Sequence, residues 1–587
     1  MRQGGEAASF SEERGRGAEE AYLAQLHALW RKNWPAQLQV TPQDPMPGLD
    51  LPQRVAEWAR LKPEQTAIWF YGRSFTYAEL FDLSERFAQV LRMKGIAPGD
   101  RVALFMPNCP QFTVAFLAIL RLGAVHCPMS PLAKRAELEH QLKDCGARAI
   151  IALQSLMPVV ESCENTSLSL YFRTRISDAL QDVAEIPLPP MVLAEEAPQG
   201  EAIDFFKAIT EVTLAGEGME RRMADPDAIA SINYTSGTTS YPKGCLHTQA
   251  HMLYTAAANH LREESFTEAT LNFFPQFWIA GQNHGLVYQL FSGTTLVLLS
   301  RWDALAFMMA VSSQRVGATT MLVDNLLEVM NHPRFGEFDL SSLRLIRCVS
   351  FVKKLDLDIR RQWKQRYPEA VLCESAWGMT ETHTANTVTI GFQHEDFDLK
   401  SRPTFVGVPS PGAEFKICDF ETGEIVPLGS EGEICCRSPS IFNGYLNAEE
   451  ATATVLRDGW LHSGDIGQID ADGFIHYLGR KKDLIKVNGM SVAPAEIEAV
   501  LTAHPAVFAV AVVPRMDEKK GQVPVAFVQL KPTACHILEC ELIDWCKERI
   551  ANYKVPEVLF SRSLPISATG KIMKEVIKEW VGTAFLK

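Results

Sequence analysis

The sequence predicts an α/β protein, with a large N-terminal domain of parallel-type sheets and helices, a small distorted β-barrel, and a small α+β C-terminal domain. Three observations carry that expectation. At 587 residues the chain is too long for one hydrophobic core and implies a large body with at least one satellite. From Pro52 to about residue 150, apolar runs alternate with helical patterns, the rhythm of an open parallel sheet. Past residue 400 the texture changes to short strands between Gly and Pro turns, and past about 484 to a compact α+β pattern.

The elements follow in order. The opening "MRQGGEAASFSEERGRGAEE" has no apolar core of the signal-peptide kind and reads as a frayed, solvated tail. "AYLAQLHALWRKNW" then places apolar residues at helical spacing, so an amphipathic helix packed on the body is expected within residues 1–50. "TAIWFY", "RVALFM" and "ARAIIAL" read as strands, and "TYAELFDLSERFAQVLRMKG" as a helix between them. The rhythm weakens between about 155 and 225, where "LPPMVLAEEAPQGE" reads as loop, and returns in "TTLVLLS", "ATTMLV" and "SLRLIRCV". "AEFKICDFETGEIVPLGSEGEICCRS" predicts a small antiparallel barrel or distorted sheet. "MSVAPAEIEAVLTAHP", "VFAVAVVP", "VPVAFVQL" and the helical "LECELIDWCKERI" complete a separate C-terminal unit.

Composition bounds the function. A chain that is 47% hydrophobic and 22% charged is ordinary globular protein. The net charge of −13 argues against nucleic acid as a partner, since such binders need a basic face. No uncharged apolar run approaches the roughly 20 residues of a membrane span, so no integral membrane segment is expected. The 13 cysteines are scattered, odd in number and without paired C-x-x-C spacing, which fits reduced thiols in a cytoplasmic protein. An acidic chain can still hold a polyanion through a local site of donors and a metal.

"YTSGTTSYPKG", Tyr234 to Gly244, has the composition of such a site but not the spacing of the commonest phosphate loop. In G-x-x-x-x-G-K-[ST] the second glycine directly precedes the lysine. Here Lys243 follows Pro242, and the second glycine comes after it. The hydroxyls of Thr235, Ser236, Thr238 and Thr239 and the turn's N–H groups can face an anion, and Gly237 lets backbone approach it closely. Alone, the loop would read as a Ser/Thr-rich surface turn.

Three more stretches follow it. "ESAWGMTETHT" sets an aromatic beside a Gly turn, then a hydroxyl and a carboxylate. "GWLHSGDIGQIDADGFIHYLGRKKDLIKVNG" supplies an aspartate after a Gly and an arginine at a strand end. "LPISATGKIMK" puts Lys571 after another Gly turn. Four such stretches in this order, from about residue 50 to the end, resemble the superfamily of adenylate-forming enzymes. Its members include acyl-CoA ligases, firefly-type luciferases and the adenylation domains of peptide synthetases.

The resemblance implies that a carboxylate attacks the α-phosphate of ATP and pyrophosphate leaves, so the Thr/Ser/Gly loop is a pyrophosphate cradle. It implies a large AMP-binding domain over 51–481 and a mobile C-terminal domain over 482–587. Thr235, Ser236, Gly237, Thr238, Thr239 and Lys243 would hold the phosphates, and Thr380 the α-phosphate. Glu381 would bind Mg²⁺. Asp465 would accept from both ribose hydroxyls, with Arg480 also reaching the ribose. Trp377, where relatives have tyrosine, would lie against the adenine, with Gly378 beside it. Lys571 would bridge the attacking carboxylate and the α-phosphate as the catalytic lysine. Lys482 maps to the pivot about which the C-terminal domain rotates, and Gly489 to the tunnel for the pantetheine arm of coenzyme A.

The chain departs from the pattern in three places. Relatives carry a small-residue segment where this chain has "VSFVKKLD", Val349 to Asp356. Phe351, Val352, Lys353 and Lys354 should therefore change the wall of the adenine and acyl pocket. Trp278 replaces a common histidine, and Asp324 a usual proline. Trp278 and Phe351 are the candidate acyl-pocket residues. A minority branch related to carnitine-CoA ligases shares such losses, so the enzyme need not be inactive.

The expected partners are a carboxylic acid, ATP and CoA, the acid being a medium- or long-chain fatty acid or related hydrophobic carboxylate. A homodimer is an open assembly. The competing readings are a stand-alone adenylation enzyme that loads an acid onto a carrier protein, and a non-catalytic adenylate-binding module. "FFPQFWIAG" lacks the aspartate that amino-acid activators use. Intact Glu381, Asp465, Arg480 and Lys571 count against the binding module.

Overall fold

The computed structural model describes residues 3–42, 44–181, 183–193, 200–213, 225, 227–235, 242–259, 269–350, 352–374, 376–400, 404–488, 490–517, 519–534, 536–567 and 570–584. Two seven-stranded sheets build the body. In the first, Ile203–Asp204, Leu170–Thr174, Ala149–Leu153, Arg101–Phe105, Val125–Pro128 and Ile229–Tyr234 run parallel, and Gly244–Thr248 closes the edge antiparallel. In the second, Val371–Glu374, Leu345–Val349, Ala318–Leu322, Ala269–Asn272, Thr295–Leu298 and Thr66–Phe70 run parallel, with Arg73–Thr76 antiparallel at the edge.

Strands covered on both faces read as unbroken apolar runs, and Ala149–Leu153 is buried along its whole length. One apolar cluster joins the two sheets through the helix Pro110–Arg121, whose Phe112 and Phe116 have no exposed surface. The helix Tyr77–Met93 starts where its sequence says it should. Thr76 caps it, and the Glu79 side chain accepts from the cap's own N–H.

The expected barrel is an open half-barrel sheet. Its order is Thr387–Val388, Phe405–Pro409, Ile475–Arg480, Trp460–Ile469, Glu431–Arg437, Glu414–Cys418, all antiparallel, with Leu456–Arg457 paired onto Trp460–Ile469. After Arg480 a 3₁₀ turn, Lys481–Asp483, leads into another sheet that begins with Ile485–Val487. Its long hairpin, Val507–Asp517 and Gly521–Leu530, packs with the helices Pro494–Thr502, Glu539–Lys547 and Lys574–Ala584.

The N-terminus differs from expectation. Residues read as a frayed tail belong to one helix, Gln3–Asn33. The stretch holds no proline, so nothing interrupts the helix before its apolar half. Leu23, Leu26 and Trp30 bury against the half-barrel, Glu19 pairs with Lys416 at 2.7 Å, and Trp30 Nε1 donates to Gly473 O at 2.8 Å.

Candidate active site

The site is built where the three sheets and the C-terminal domain meet. Ile229–Tyr234 and Gly244–Thr248 form a hairpin whose tip is the Thr/Ser/Gly loop. Ser236, Gly237, Thr238 and Thr239 lie outside the described residues. The loop's neck is described and closed twice. Thr235 N–H donates to Lys243 O at 2.9 Å, and Lys243 N–H to Thr235 Oγ1 at 3.2 Å.

Lys243 Nζ lies 5.0 Å from the ring centroid of Tyr445, whose hydroxyl donates to Glu381 Oε1 at 2.6 Å. Lys243, Tyr445 and Glu381 thus connect the loop to a carboxylate that is 7% exposed. Tyr445 escaped the sequence reading, because "NGYLN" carries no charge or spacing that marks a site. Burial, then the Glu381 carboxylate, push the Tyr445 phenol up, so it stays a donor. A single buried carboxylate is a group that can bind Mg²⁺, which takes one or two carboxylates plus substrate phosphates.

Thr380, Glu381 and Thr382 form a 3₁₀ turn followed by His383 and Thr384 at φ +50° and +92°. A β-branched residue at positive φ is strained, and such strain is held only where the surroundings fix it. Here Asn386 Nδ2 donates to Thr382 O at 3.0 Å, and the ring of His247 lies 4.9 Å from that of His383. Burial holds His247 neutral, and its Nε2–H donates to Thr380 O at 2.8 Å. At Gly378 an added Cβ would meet Thr384 O at 2.0 Å, so no other residue fits the hairpin.

Asp465 and Arg480 face each other on paired antiparallel strands. Arg480 Nε lies 2.9 Å from Asp465 Oδ1, yet that oxygen, buried, accepts no well-angled hydrogen bond. Asp465 Oδ2 accepts Trp377 Nε1–H at 2.9 Å. A buried acceptor short of a donor fits a ligand hydroxyl. Burial pushes the Asp465 carboxyl up against the pull of Arg480 and Trp377. The preceding residues are pinned from below. Gly464 N–H donates to Glu433 Oε1 at 3.0 Å, and Glu433 Oε2 pairs with His462 at 2.8 Å. Trp377 itself is 5% exposed and packs edge-on against Phe415, which leaves little of its ring open to a base.

Lys571 reaches this cluster from the C-terminal domain. Its turn is shaped by Gly570 at φ +81° and by Ser567 N–H donating to Lys571 O at 2.8 Å. Lys571 Nζ stands 6.0 Å from the ring centroid of Trp278. The side chain keeps exposed surface, but the surrounding protein desolvates the ammonium and lowers its pKa, with Arg480 adding to the fall and Asp465 and Glu381 opposing it. Both facts hold together for a group facing an enclosed cleft between domains. Lys482 lies in the 3₁₀ turn between the half-barrel and the C-terminal sheet. Gly489 and Phe351 lie outside the described residues.

Val352, Lys353 and Lys354 are placed differently from the expected pocket wall. Val352 packs into the C-terminal domain's cluster of Ala509, Val525, Phe527 and Ile577. Lys354 is desolvated near Glu498 and Lys574, themselves paired at 2.7 Å. Lys353 turns inward, 3% exposed, to Asp356 at 2.8 Å. Asp324 accepts the backbone N–H of Lys353 at 3.4 Å, a position a proline could not serve.

Sequence and fold both resemble known proteins. The family model for AMP-binding enzymes matches residues 55–446, and that for the AMP-binding enzyme C-terminal domain matches residues 496–571. The long-chain-fatty-acid–CoA ligase of Bacillus subtilis (strain 168) is 31% identical over 91% of this chain and 95% of its own. The 4-coumarate–CoA ligase 2 of Solanum tuberosum is 31% identical over 86% and 89%. Among solved structures, an anthranilate CoA ligase in complex with anthranoyl-AMP has a TM-score of 0.77 at 25% identity, covering 92% of this chain and 98% of its own. The o-succinylbenzoate CoA synthetase of Bacillus subtilis, with its acyl-adenylate intermediate, has a TM-score of 0.72 at 26% identity, covering 89% and 97%.

Proposed function

The chain belongs to the AMP-binding enzyme family and is an AMP-forming acid–CoA ligase, and we propose that its acid is a hydrophobic carboxylate, a medium- or long-chain fatty acid or a relative of one. Lys571 standing over Trp278, with Asp465, Arg480 and Glu381 acting on its charge, is the observation that carries the mechanism. ATP and the acid enter the cleft between the large domain and the C-terminal domain. Thr235 to Thr239 and Lys243 hold the β- and γ-phosphates, and Thr380 the α-phosphate. Asp465 and Arg480 fix the ribose, with Trp377 and Gly378 at the adenine side. A carboxylate oxygen attacks the α-phosphorus, the bond to the bridging oxygen breaks, and pyrophosphate departs. Lys571 lies between the two anions and lowers the cost of bringing them together.

Glu381 would hold Mg²⁺, which offsets phosphate charge and draws electrons from the bond that breaks. The C-terminal domain then turns about Lys482, withdrawing Lys571 and bringing Gly489 to the path of the thiol. The sulfur attacks the acyl carbon, AMP leaves, and acyl-CoA forms. The cytoplasm supplies both co-substrates. A pyrophosphate-release screen of carboxylic acids with and without CoA tests the reading. Thioester formed only on an added carrier protein would replace CoA as the acceptor.

A further inference from the structure

Apart from the nucleotide cleft, one patch of the half-barrel gathers metal-ligating side chains from three neighbouring strands. Glu433 and Cys435 alternate along Glu431–Arg437 and so point to one face of the sheet. Cys418 stands directly across from Glu433 on Glu414–Cys418, and His462 directly across from Cys435 on Trp460–Ile469. Paired residues share a face, so the register gathers two thiols, an imidazole and a carboxylate. Among the described residues, Glu433, Cys435 and His462 are the one group of three whose ligand atoms all lie within 4.8 Å of one another.

These atoms converge on a point. His462 Nδ1 lies 2.8 Å from Glu433 Oε2 and 3.3 Å from Cys435 Sγ. One imidazole nitrogen carries either a proton or a lone pair, so it serves the carboxylate or the thiol S–H but not both. A cation in place of that proton takes a lone pair from each. Zinc bonds of about 2.1 Å to nitrogen and oxygen and about 2.3 Å to sulfur set tetrahedral edges at about 3.4 and 3.6 Å, so the atoms need part by only about half an ångström.

The surroundings suit a closed site. All four residues are buried, and Leu23 of the N-terminal helix and Trp460 pack with the two cysteines. Lys416, across from Cys435, is drawn off to Glu19 at 2.7 Å and to the face of Trp460. Two thiolates and a carboxylate around a divalent ion leave one negative charge, and Arg457 Nη2 stands 3.6 Å from Glu433 Oε2 to offset it. The other oxygen of Glu433 accepts Gly464 N–H at 3.0 Å, the kind of outer contact that orients a metal ligand.

We infer that Cys418, Glu433, Cys435 and His462 bind a zinc ion as a structural centre of the half-barrel. Thiolates with an imidazole and a carboxylate in a closed set of four select zinc over magnesium. Binding releases both thiol protons and leaves the imidazole proton on Nε2, with no change of oxidation state. The centre would pin an irregular stretch beside the nucleotide. Between His462 and Ile466 the register slips, and Gly464, held by Glu433, directly precedes Asp465. The ligands come from three strands, so no C-x-x-C spacing marks them in the sequence.

The test reads metal rather than turnover. Full-length protein is stripped with a chelator under reducing conditions, given Zn²⁺ or Co²⁺ alone, and freed of excess by gel filtration. Wild type should keep about one zinc per chain and gain melting temperature from it. Cobalt should show thiolate-to-metal charge transfer and the visible bands of a tetrahedral ion. Cys418→Ser, Cys435→Ser and His462→Gln should each bind zinc at least about tenfold more weakly in competition with a chelating dye. Cys540→Ser, which removes an exposed thiol, should bind zinc and show the cobalt bands as wild type does. Less than about half a zinc per wild-type chain overturns the site. So does a cobalt spectrum without the thiolate band, or a Cys418, Cys435 or His462 variant that binds as wild type does. The cobalt spectra of wild type and Cys540→Ser decide the matter even where an interior variant does not fold.

Discussion

The indole N–H of Trp377 donates to Asp465 Oδ2 at 2.9 Å, across 88 residues of sequence. A tyrosine there could not place a donor at the same point, so the tryptophan holds one oxygen of the carboxylate and leaves Oδ1 for a ligand. Trp377→Phe should weaken ATP binding about three- to tenfold, since it leaves a buried acceptor without its donor, a loss of about 1 kcal/mol or more. Asp465→Asn should weaken ATP more, by about tenfold or beyond, yet raise the melting temperature of the ligand-free protein. The sign follows from the raised Asp465 pKa. The folded state holds this proton more tightly than the unfolded chain, so ligand-free stability falls as pH rises through the raised value. Calorimetric ATP titration and thermal unfolding at neutral pH check both halves.

Glu381→Gln preserves shape and the contact with Tyr445 but removes the charge offered to a metal. Acid-dependent pyrophosphate release should fall well over tenfold and recover in part at high Mg²⁺. Unchanged activity at limiting Mg²⁺ would remove Glu381 from the site.

Lys571 and Lys482 should separate the half-reactions. Lys571→Ala should lose adenylation by about 10²–10³ while still forming thioester from supplied acyl-AMP and CoA. Lys482→Pro should keep pyrophosphate exchange but strand acyl-AMP, because a φ fixed near about −65° hinders rotation. Equal loss of both half-reactions in both folded variants would contradict a rotating domain.

The same lysine sets a pH limit. Burial lowers Lys571 below the ordinary amine range. The charged form is the one that bridges two anions, so exchange is full below the lowered value and declines as pH rises through it. Lys571→Arg should move that alkaline decline upward, since a guanidinium stays charged. A pH profile of pyrophosphate exchange that Arg leaves unmoved assigns the limb to another group.

Val352 packs on the C-terminal domain in the arrangement that presents Lys571 to the cleft. Val352→Asp should therefore slow adenylation about tenfold and leave thioester formation from supplied acyl-AMP intact. Trp278→Ala should shift preference toward bulkier acids, because removing the aromatic opens space beside Lys571. Identical acid profiles for wild type and Trp278→Ala would place the pocket wall elsewhere.

The sequence by itself determined the sheets and the order of the site. "ARAIIAL" and "SLRLIRCV" are strands because buried parallel strands must be apolar throughout, a property written locally. The motifs that carry the family resemblance are local too, and it is that resemblance which singled out Thr380, Glu381, Asp465, Arg480 and Lys571. Leu170–Thr174 and, at the sheet's edge, Ile203–Asp204 were not legible, since they are half-buried and owe their place to backbone pairing. Nor was the helix from Gln3, whose apolar half is held by residues some 400 positions away. Tertiary structure alone decided that Val352 meets the C-terminal domain and that Tyr445 reaches Glu381. Each depends on which distant side chains share a desolvated space, and charge or burial there is a property of the neighbours, not of the residue.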